Sequence, residues 1–186
     1  MKRQQGFSLI EISVSLLLAS LGVLGFMSLQ LNMQSSEMES MQYEEAVRSV
    51  NFIAGQIKAN RYAAACYGLE QQGVSYVGTG WDPSLDYNCT VAGNIETQTQ
   101  VSDDIMAWDS LLDGELVSLT GQDVGSMEGA RGCIGYNDAN RSFTITVAWQ
   151  GLQPTVAPTS SCGENLYGDE TTRRAYTMIV EIPKLN

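Results

Sequence analysis

The chain has no histidine among its 186 residues. This absence excludes Ser-His-Asp triads, Cys-His dyads and Cys/His zinc sites. The sequence also contains no Gly-rich phosphate loop and no nucleophile elbow. The neighbouring acids Asp103 and Asp104 fit the first turn of a helix better than a hydrolase's carboxylate pair. We therefore expect no enzymatic activity, no cofactor and no metal site.

Basic residues are scarce, because 10 Lys and Arg stand against 21 Asp and Glu and give a net charge of −11. Without Lys2 and Arg3, 8 basic and 21 acidic side chains remain, a net charge of −13. This charge opposes nonspecific binding of nucleic acid or anionic lipid headgroups by the domain as a whole. We expect no nucleic-acid partner.

Proline is absent before Pro83, so one helix is predicted from Phe7 to about Ala64. At 1.5 Å per residue this helix would be roughly 85–90 Å long, whereas a bilayer core needs only about 30 Å. Its apolar first part, residues 7–31, is long enough to span a membrane. The outer half is expected to pack on a soluble domain through a stripe at helical spacing. That stripe comprises Met38, Met41, Val50, Ile53 and Ile57.

The apolar stretch opens with Gly6-Phe7-Ser8-Leu9-Ile10-Glu11 and contains a single carboxylate, Glu11. A charged residue at the centre of a membrane helix costs roughly 2.5–3.5 kcal/mol, so such residues usually have a function. A secretory signal would lack this charge and would carry a small-x-small cleavage site. A plain single-pass anchor accounts for the hydrophobicity but not for Glu11. Lys2 and Arg3 predict a cytoplasmic N-terminus and an exported C-terminal domain.

This opening motif resembles the class III signal of type IV prepilins, in which a prepilin peptidase cuts after the glycine and methylates the new N-terminus. The resemblance implies cleavage between Gly6 and Phe7, and N-methylation of Phe7. Glu11 would then pair with the terminal ammonium group of its own chain or of a neighbour, and would set the register of helices in a filament. The expected divisions are a leader (1–6), a transmembrane and filament-core half-helix (7–31), and a periplasmic domain that includes the outer half of the helix (32–186).

Residues 66–99, rich in Gly, Tyr, Asn and Asp, are predicted to form a long surface connection. A short helix is expected next, with Ser102 as its N-cap and Asp103 and Asp104 in its first turn. The predicted buried stripe and stop signal of this helix are Ile105, Trp108, Leu112 and Gly114.

Two C-terminal segments, 142–149 and 176–182, alternate apolar and polar residues, a pattern typical of half-buried antiparallel strands. A Pro/Ser/Thr-rich loop, 152–161, lies between them, and 115–120 and 132–136 are weaker strand candidates. A long helix packed on a roughly four-stranded antiparallel sheet is an α+β fold. It is also the architecture that the pilin resemblance implies.

The four cysteines, an even number without C-x-x-C spacing, indicate disulfides formed in an oxidising periplasm. Four cysteines allow three pairings. We favour Cys66 with Cys89 and Cys133 with Cys162, because each pair is nearest in sequence.

Further segments are similar to the minor pilin family called PilV, the type IV pilus modification protein. Ser13 and Ser15 depart from the apolar residues usual in such helices, and Ser28 stands where many major pilins have a helix-bending proline. The similar segments are Ala59-Asn60-Arg61, Arg131-Gly132-Cys133-Ile134, Thr146-Val147-Ala148-Trp149-Gln150-Gly151, Ser161-Cys162-Gly163 and Arg173-Arg174.

The resemblance implies a structural subunit that joins other minor pilins, primes pilus assembly and sits in a tip complex. The expected partners are the prepilin peptidase, other minor pilins and the major pilin through the N-terminal helix, and a tip adhesin. The chain would wait in the bacterial inner membrane and then move to the cell-surface pilus, supporting twitching motility, adhesion or DNA uptake. A type II secretion pseudopilin and a tip-located binding module remain alternatives.

Overall fold

The computed structural model describes residues 8–82, 87, 89, 91–114, 118–119, 122–123 and 127–183. These residues belong to two compact units that divide between Glu39 and Ser40. The elements in chain order are α1 (Leu9–Ala59), 3₁₀ turns at Ala64–Tyr67 and Glu70–Gln72, β1 (Val77–Gly78), α2 (Ile95–Leu112), β2 (Ser118–Leu119), β3 (Gln122–Asp123), β4 (Arg131–Asn137), β5 (Ser142–Gln150) and β6 (Arg173–Glu181).

Helix α1 ends at Ala59, earlier than the predicted end near Ala64. The side-chain amide of Asn60 donates a hydrogen bond to the Thr97 carbonyl oxygen at 2.8 Å. This bond ties the end of α1 to α2, and the chain then turns into the 3₁₀ segment. The predicted start at Phe7 lies outside the described residues.

The buried face of α1 lies in the second unit, and the expected stripe is confirmed for Val50, Ile53 and Ile57, which are fully buried. The expectation is wrong for Met38 and Met41, whose side chains are 53% and 66% exposed. The buried face continues through small or polar residues instead. Met41 comes one residue before the buried Gln42, and successive side chains of a helix point about 100° apart, so Met41 projects away from the buried face. The residues of α1 that are buried in addition to the confirmed ones are Gln42, Ala46, Ser49 and Ala54.

Helix α2 begins at Ile95, so the predicted N-cap at Ser102 is wrong. Asn94 is the N-cap: its side chain accepts the Thr97 backbone N–H, and the Thr97 hydroxyl accepts the Asn94 N–H, each at 2.9 Å. This reciprocal pair is a capping box built with threonine instead of the usual Glu or Gln. The predicted stripe and stop are confirmed, because Ile105, Trp108 and Leu112 are buried and the helix ends just before Gly114.

The main sheet is antiparallel, with strand order β1-β4-β5-β6. The predicted four-stranded sheet is confirmed, and so are the two strong strands and the candidate at 132–136. The candidate at 115–120 contributes only Ser118–Leu119 within the described residues, and these pair with β3 in a separate two-stranded sheet. The fourth strand is instead the short β1, which pairs with Arg131 and Gly132 of β4.

Trp108 joins α1, α2 and the sheet. Its ring is fully buried, and its indole N–H donates to the Ser49 hydroxyl of α1 at 2.7 Å. The ring lies against Gly132 of β4: a Cβ atom there would approach Cζ2 of Trp108 to 2.7 Å and Cδ1 of Leu112 to 2.8 Å. Glycine at this position is therefore a packing requirement, because no other residue leaves room for the indole.

The loop after β5, residues 151–172, covers part of the sheet face that points away from the main core. The Cys133–Cys162 disulfide and the buried Tyr167 lie on this face, next to Ala148. Thr146 and Ala148 are consequently buried, at 4% and 0% exposure. The prediction that the strand at 142–149 is half-buried is therefore wrong for its second half, because this covering loop excludes water from its outer face.

Arg173 holds the covering loop in place. The residue is 2% exposed, and its guanidinium donates from Nη1 to the Ser160 carbonyl at 2.6 Å and to the Cys162 carbonyl at 3.1 Å. Its Nε donates to the Glu170 carboxylate at 2.6 Å. The backbone N–H of Asn165 and this guanidinium together hold the pKa of Glu170 below its usual value. One buried cation thus satisfies several acceptors of the loop, which stabilises a single loop conformation.

We predict that Gly132→Ala lowers the free energy of unfolding by about 1–3 kcal/mol, because the methyl group overpacks Trp108 and Leu112. Gly135→Ala is the matched control on the same strand, since its Cβ would meet nothing closer than the Glu70 carboxylate at 3.9 Å. Thermal unfolding of the full chain in detergent, followed by near-ultraviolet circular dichroism, makes the comparison. Equal midpoints for the two variants would contradict the packing requirement.

We predict that Arg173→Lys destabilises the covering loop by about 2 kcal/mol, because an ammonium group cannot reproduce the fork of donors. Cleavage of the folded chain after Glu164 by a glutamate-specific protease should accelerate by at least about tenfold. Arg48→Lys is the control, because that side chain is 74% exposed. Unchanged cleavage in Arg173→Lys would show that the disulfide alone holds the loop.

Candidate functional site

The first unit presents an apolar helical surface without a protein covering. Every residue from 9 to 34 is exposed, and the large apolar side chains from Leu9 to Met33 are 51% to 83% exposed. Among the described residues, α1 alone is long and apolar enough to cross a bilayer, with a mean hydropathy of 2.1 in its most apolar part. A surface of this kind is unfavourable in water and is stable in lipid or against other apolar helices.

Glu11 lies in the first turn of α1 and is the only charged residue between Ser8 and Ser36. Its backbone N–H donates to the Ser8 carbonyl at 3.0 Å. Within the described residues its carboxylate has no hydrogen-bond or salt-bridge partner. The predicted cleavage and methylation positions, Gly6 and Phe7, lie outside the described residues, so their roles remain predictions. A carboxylate in this turn faces the positive end of the helix dipole and the unpaired N–H groups.

The serines that depart from the apolar pattern, Ser13 and Ser15, are satisfied within the helix, and so is Ser20. The hydroxyls of Ser13, Ser15 and Ser20 donate to the carbonyls of Leu9, Glu11 and Leu17 at 2.8–2.9 Å. Burying a hydroxyl in an apolar environment is costly only when it lacks a partner. These serines are therefore compatible with a helix that lies in lipid or in a filament core.

The cysteines form two disulfides in the second unit. Cys66 is bonded to Cys89 with Cα atoms 5.4 Å apart, and Cys133 to Cys162 with Cα atoms 5.9 Å apart. These are the pairs favoured from sequence proximity. The first closes the connection after α1, and the second attaches the covering loop to β4. In the described part of the chain, no three Cys, Asp or Glu side chains converge as metal ligands.

Asp104 is a buried acid, and the prediction that it lies in the first turn of a helix is wrong. It is 4% exposed in the middle of α2, and it accepts the Tyr67 hydroxyl and, at 2.8 Å, the amide of Gln100. Burial, and then the Asp104 carboxylate, raises the pKa of Tyr67. Asp103 is exposed, so the adjacent acids do not converge on a common site. The helical spacing of Asp104 with Ile105 and Trp108 was the signal for its burial.

Tyr87 is a second phenol, partly buried against the main core, that no sequence pattern indicated. Its hydroxyl donates to the backbone carbonyl of Cys66, and burial raises its pKa. Both Tyr67 and Tyr87 are therefore neutral hydrogen-bond donors at physiological pH. These two phenols and the disulfide attach Cys66 and Tyr67 to Asp104, Tyr87 and Cys89.

Comparison with known proteins identifies the N-terminal region. The model of the prokaryotic N-terminal methylation motif matches residues 1–27, which include Glu11 and the first part of α1. No curated protein and no solved structure matches the chain. The motif implies processing by a prepilin peptidase and assembly with other pilin-type subunits, and the single apolar helix fits a membrane-anchored subunit. The chain thus carries the N-terminal methylation motif of prokaryotic pilin-type proteins on a pilin-like α+β fold, which supports a type IV pilin or pseudopilin.

Proposed function

We propose that the chain is a minor pilin of the PilV type that helps to prime pilus assembly and sits in a tip complex with other minor pilins. In this proposal it is a structural subunit and not an enzyme. The observation that carries the proposal is the lone carboxylate of Glu11 in the first turn of an exposed apolar helix, within a matched methylation motif.

The proposed mechanism is thermodynamic. Cleavage after Gly6 would place an ammonium group at Phe7, one helical turn before Glu11. In lipid, an unpaired charge is expensive, so the carboxylate of one subunit and the ammonium group of its neighbour would pair. Apolar packing of several such helices would then form a short bundle. That bundle is the nucleus of a filament, and its formation removes the costly first step of growth.

Two features favour a minor pilin over a major one. Ser28 replaces the proline common in major pilins, and α1 continues through this position without a break. The short segments that resemble PilV are spread between Ala59 and Arg174. A type II secretion pseudopilin would share the motif and the fold. Co-purification with extended pili, as opposed to a secretion complex, separates these two functions.

In the proposed pathway the chain first spans the inner membrane with a cytoplasmic N-terminus and a periplasmic domain. It then enters the pilus tip, where its acidic domain meets a tip adhesin or another surface. Twitching motility, adhesion or DNA uptake would depend on it indirectly, through the number of pili that are assembled.

We predict that the protein from its native membrane begins at Phe7 and that its N-terminal peptide carries one additional methyl group. Mass spectrometry of this peptide is the direct measurement. Gly6→Ala serves as a control, because it removes the residue after which the peptidase cuts and should abolish processing. A native peptide that retains residues 1–6 would mean an ordinary membrane anchor and would refute the proposed function.

We predict that Glu11→Ala leaves cleavage intact but reduces the fraction of the subunit found in sheared pili by about tenfold or more, equivalent to about 1.4 kcal/mol of lost pairing. Glu11→Gln should behave similarly, because its amide keeps the shape and removes the charge. Glu37→Gln is the control, since it is an exposed acid of the same helix outside the motif. Normal incorporation of both Glu11 variants would eliminate the register role.

A further inference from the structure

An open groove of about 860 Å³ lies on the outer face of the main sheet, beside the covering loop. Its floor includes Gly135 and Thr144, which are paired across β4 and β5. One wall is formed by residues 159–164 and 166 of the covering loop, and the other includes Glu70 and Tyr76. Its volume is in the range of small-molecule sites, and all of its lining residues belong to the second unit.

Hydroxyl groups dominate this groove. Seven of its fifteen lining residues are serine or threonine. The hydroxyls of Thr146 and Thr177 bond to each other at 2.9 Å, and that of Ser160 accepts the Cys162 N–H at 3.2 Å. Among the described residues, the hydroxyls of Ser75, Thr144 and Ser161 have no protein partner, and these three residues are exposed. They are free to exchange hydrogen bonds with a polyhydroxylated ligand.

The charge of the groove restricts the ligand. The charged groups that line it within the described residues are two carboxylates, Glu70 and Glu164. Carboxylates accept hydrogen bonds from hydroxyl and amide groups, and they repel phosphate, sulfate and other anions. The nearby cation, Arg131, stacks on the rings of Tyr76 and Tyr167, with its guanidinium carbon 5.3 Å and 5.1 Å from their centroids. The groove therefore suits a neutral ligand and not an anionic one.

A second cavity of about 520 Å³ continues the groove, because Ser75 and Tyr76 line both. It also contains the ring of Trp81 and the amide of Gln72. The indole ring of Trp81 gives this cavity an apolar surface, on which the apolar face of a pyranose ring can pack.

The groove is preformed. The Cys133–Cys162 disulfide attaches its loop wall to its floor, and Arg173 fixes the carbonyls of Ser160 and Cys162. A ligand that binds a wall already held in one conformation loses less entropy than one that must order a loop.

We propose that this groove binds a neutral oligosaccharide, with sugar units in both cavities. A protein ligand fits less well, because protein interfaces depend on buried aromatic and apolar anchors. Leu166, 44% exposed, is the single aliphatic residue among the described residues that line the larger cavity. This site goes beyond the proposed role in assembly, which depends on the N-terminal helix.

The test measures binding of the full chain to an array of neutral, sialylated and sulfated oligosaccharides, in a detergent without a sugar headgroup. We expect binding to neutral oligosaccharides. Gly135→Val should weaken it by at least tenfold, because the new side chain fills the floor at a position where a Cβ atom meets only the Glu70 carboxylate, at 3.9 Å. Thr144→Val should weaken it severalfold by removing one hydroxyl at nearly constant volume.

The control is Thr99→Val, which removes an exposed hydroxyl from α2, remote in sequence from the groove-lining residues, and should bind as the wild type does. Circular dichroism checks that each variant is folded.

The proposal is overturned if the wild type binds no neutral oligosaccharide, if it prefers sialylated or sulfated ones, or if both groove variants bind normally. It is also overturned if the groove instead captures another pilin subunit and Gly135→Val abolishes that capture. Incorporation into pili, measured separately with the Glu11 variants, distinguishes failure of this site from failure of the assembly role.

Discussion

The burial of Trp108 is the interaction on which the second unit depends. This one side chain bonds to Ser49 of α1, belongs to α2 and packs against Gly132 of β4, so it joins all three parts of the core. A large ring with a single polar atom serves this purpose well, because it removes much apolar surface from water and leaves one donor to satisfy. The position of α2 then determines where the buried Asp104 meets Tyr67.

The two units divide the physical tasks of the protein. The second unit has a hydrophobic core, two disulfides and a buried acid, Asp104, that is hydrogen-bonded, so it is stable in an aqueous, oxidising compartment. Among its described residues, 8–39, the first unit has no buried side chain and exposes apolar side chains around one carboxylate. Its stability requires lipid or other helices. The second unit therefore provides the folded core, and the first unit provides the apolar surface for contact with other subunits, as expected of a pilin-type subunit.

The outer face of the sheet illustrates how a loop can create a site. The covering loop buries Thr146 and Ala148 at one end of β5 but leaves Thr144 exposed at the other. The edge of this loop becomes the wall of the groove, and Arg173 and the disulfide keep that wall in place. The hydroxyl-rich strand residues, which would otherwise form a flat polar surface, thereby line a concave one.

Local patterns in the sequence were sufficient for the methylation motif, for the long helix, for the helix around Trp108 and for two strands, predicted at 142–149 and 176–182 and found at 142–150 and 173–181. Each of these depends on short-range periodicity or on a contiguous motif. The start of α2 was missed because threonine, and not Glu or Gln, completes its capping box. The short β1 was missed because a two-residue strand has no measurable period.

The sequence by itself determined that the chain has an apolar N-terminal helix with one acid, an α+β domain and cysteines suited to disulfides. Tertiary structure alone decided which face of α1 is buried, that Asp104 is a buried acceptor, and that residues 159–164 and Thr144 line one groove. The reason is that these features join residues distant in the chain, whose proximity depends on how helices and strands pack and not on any local pattern.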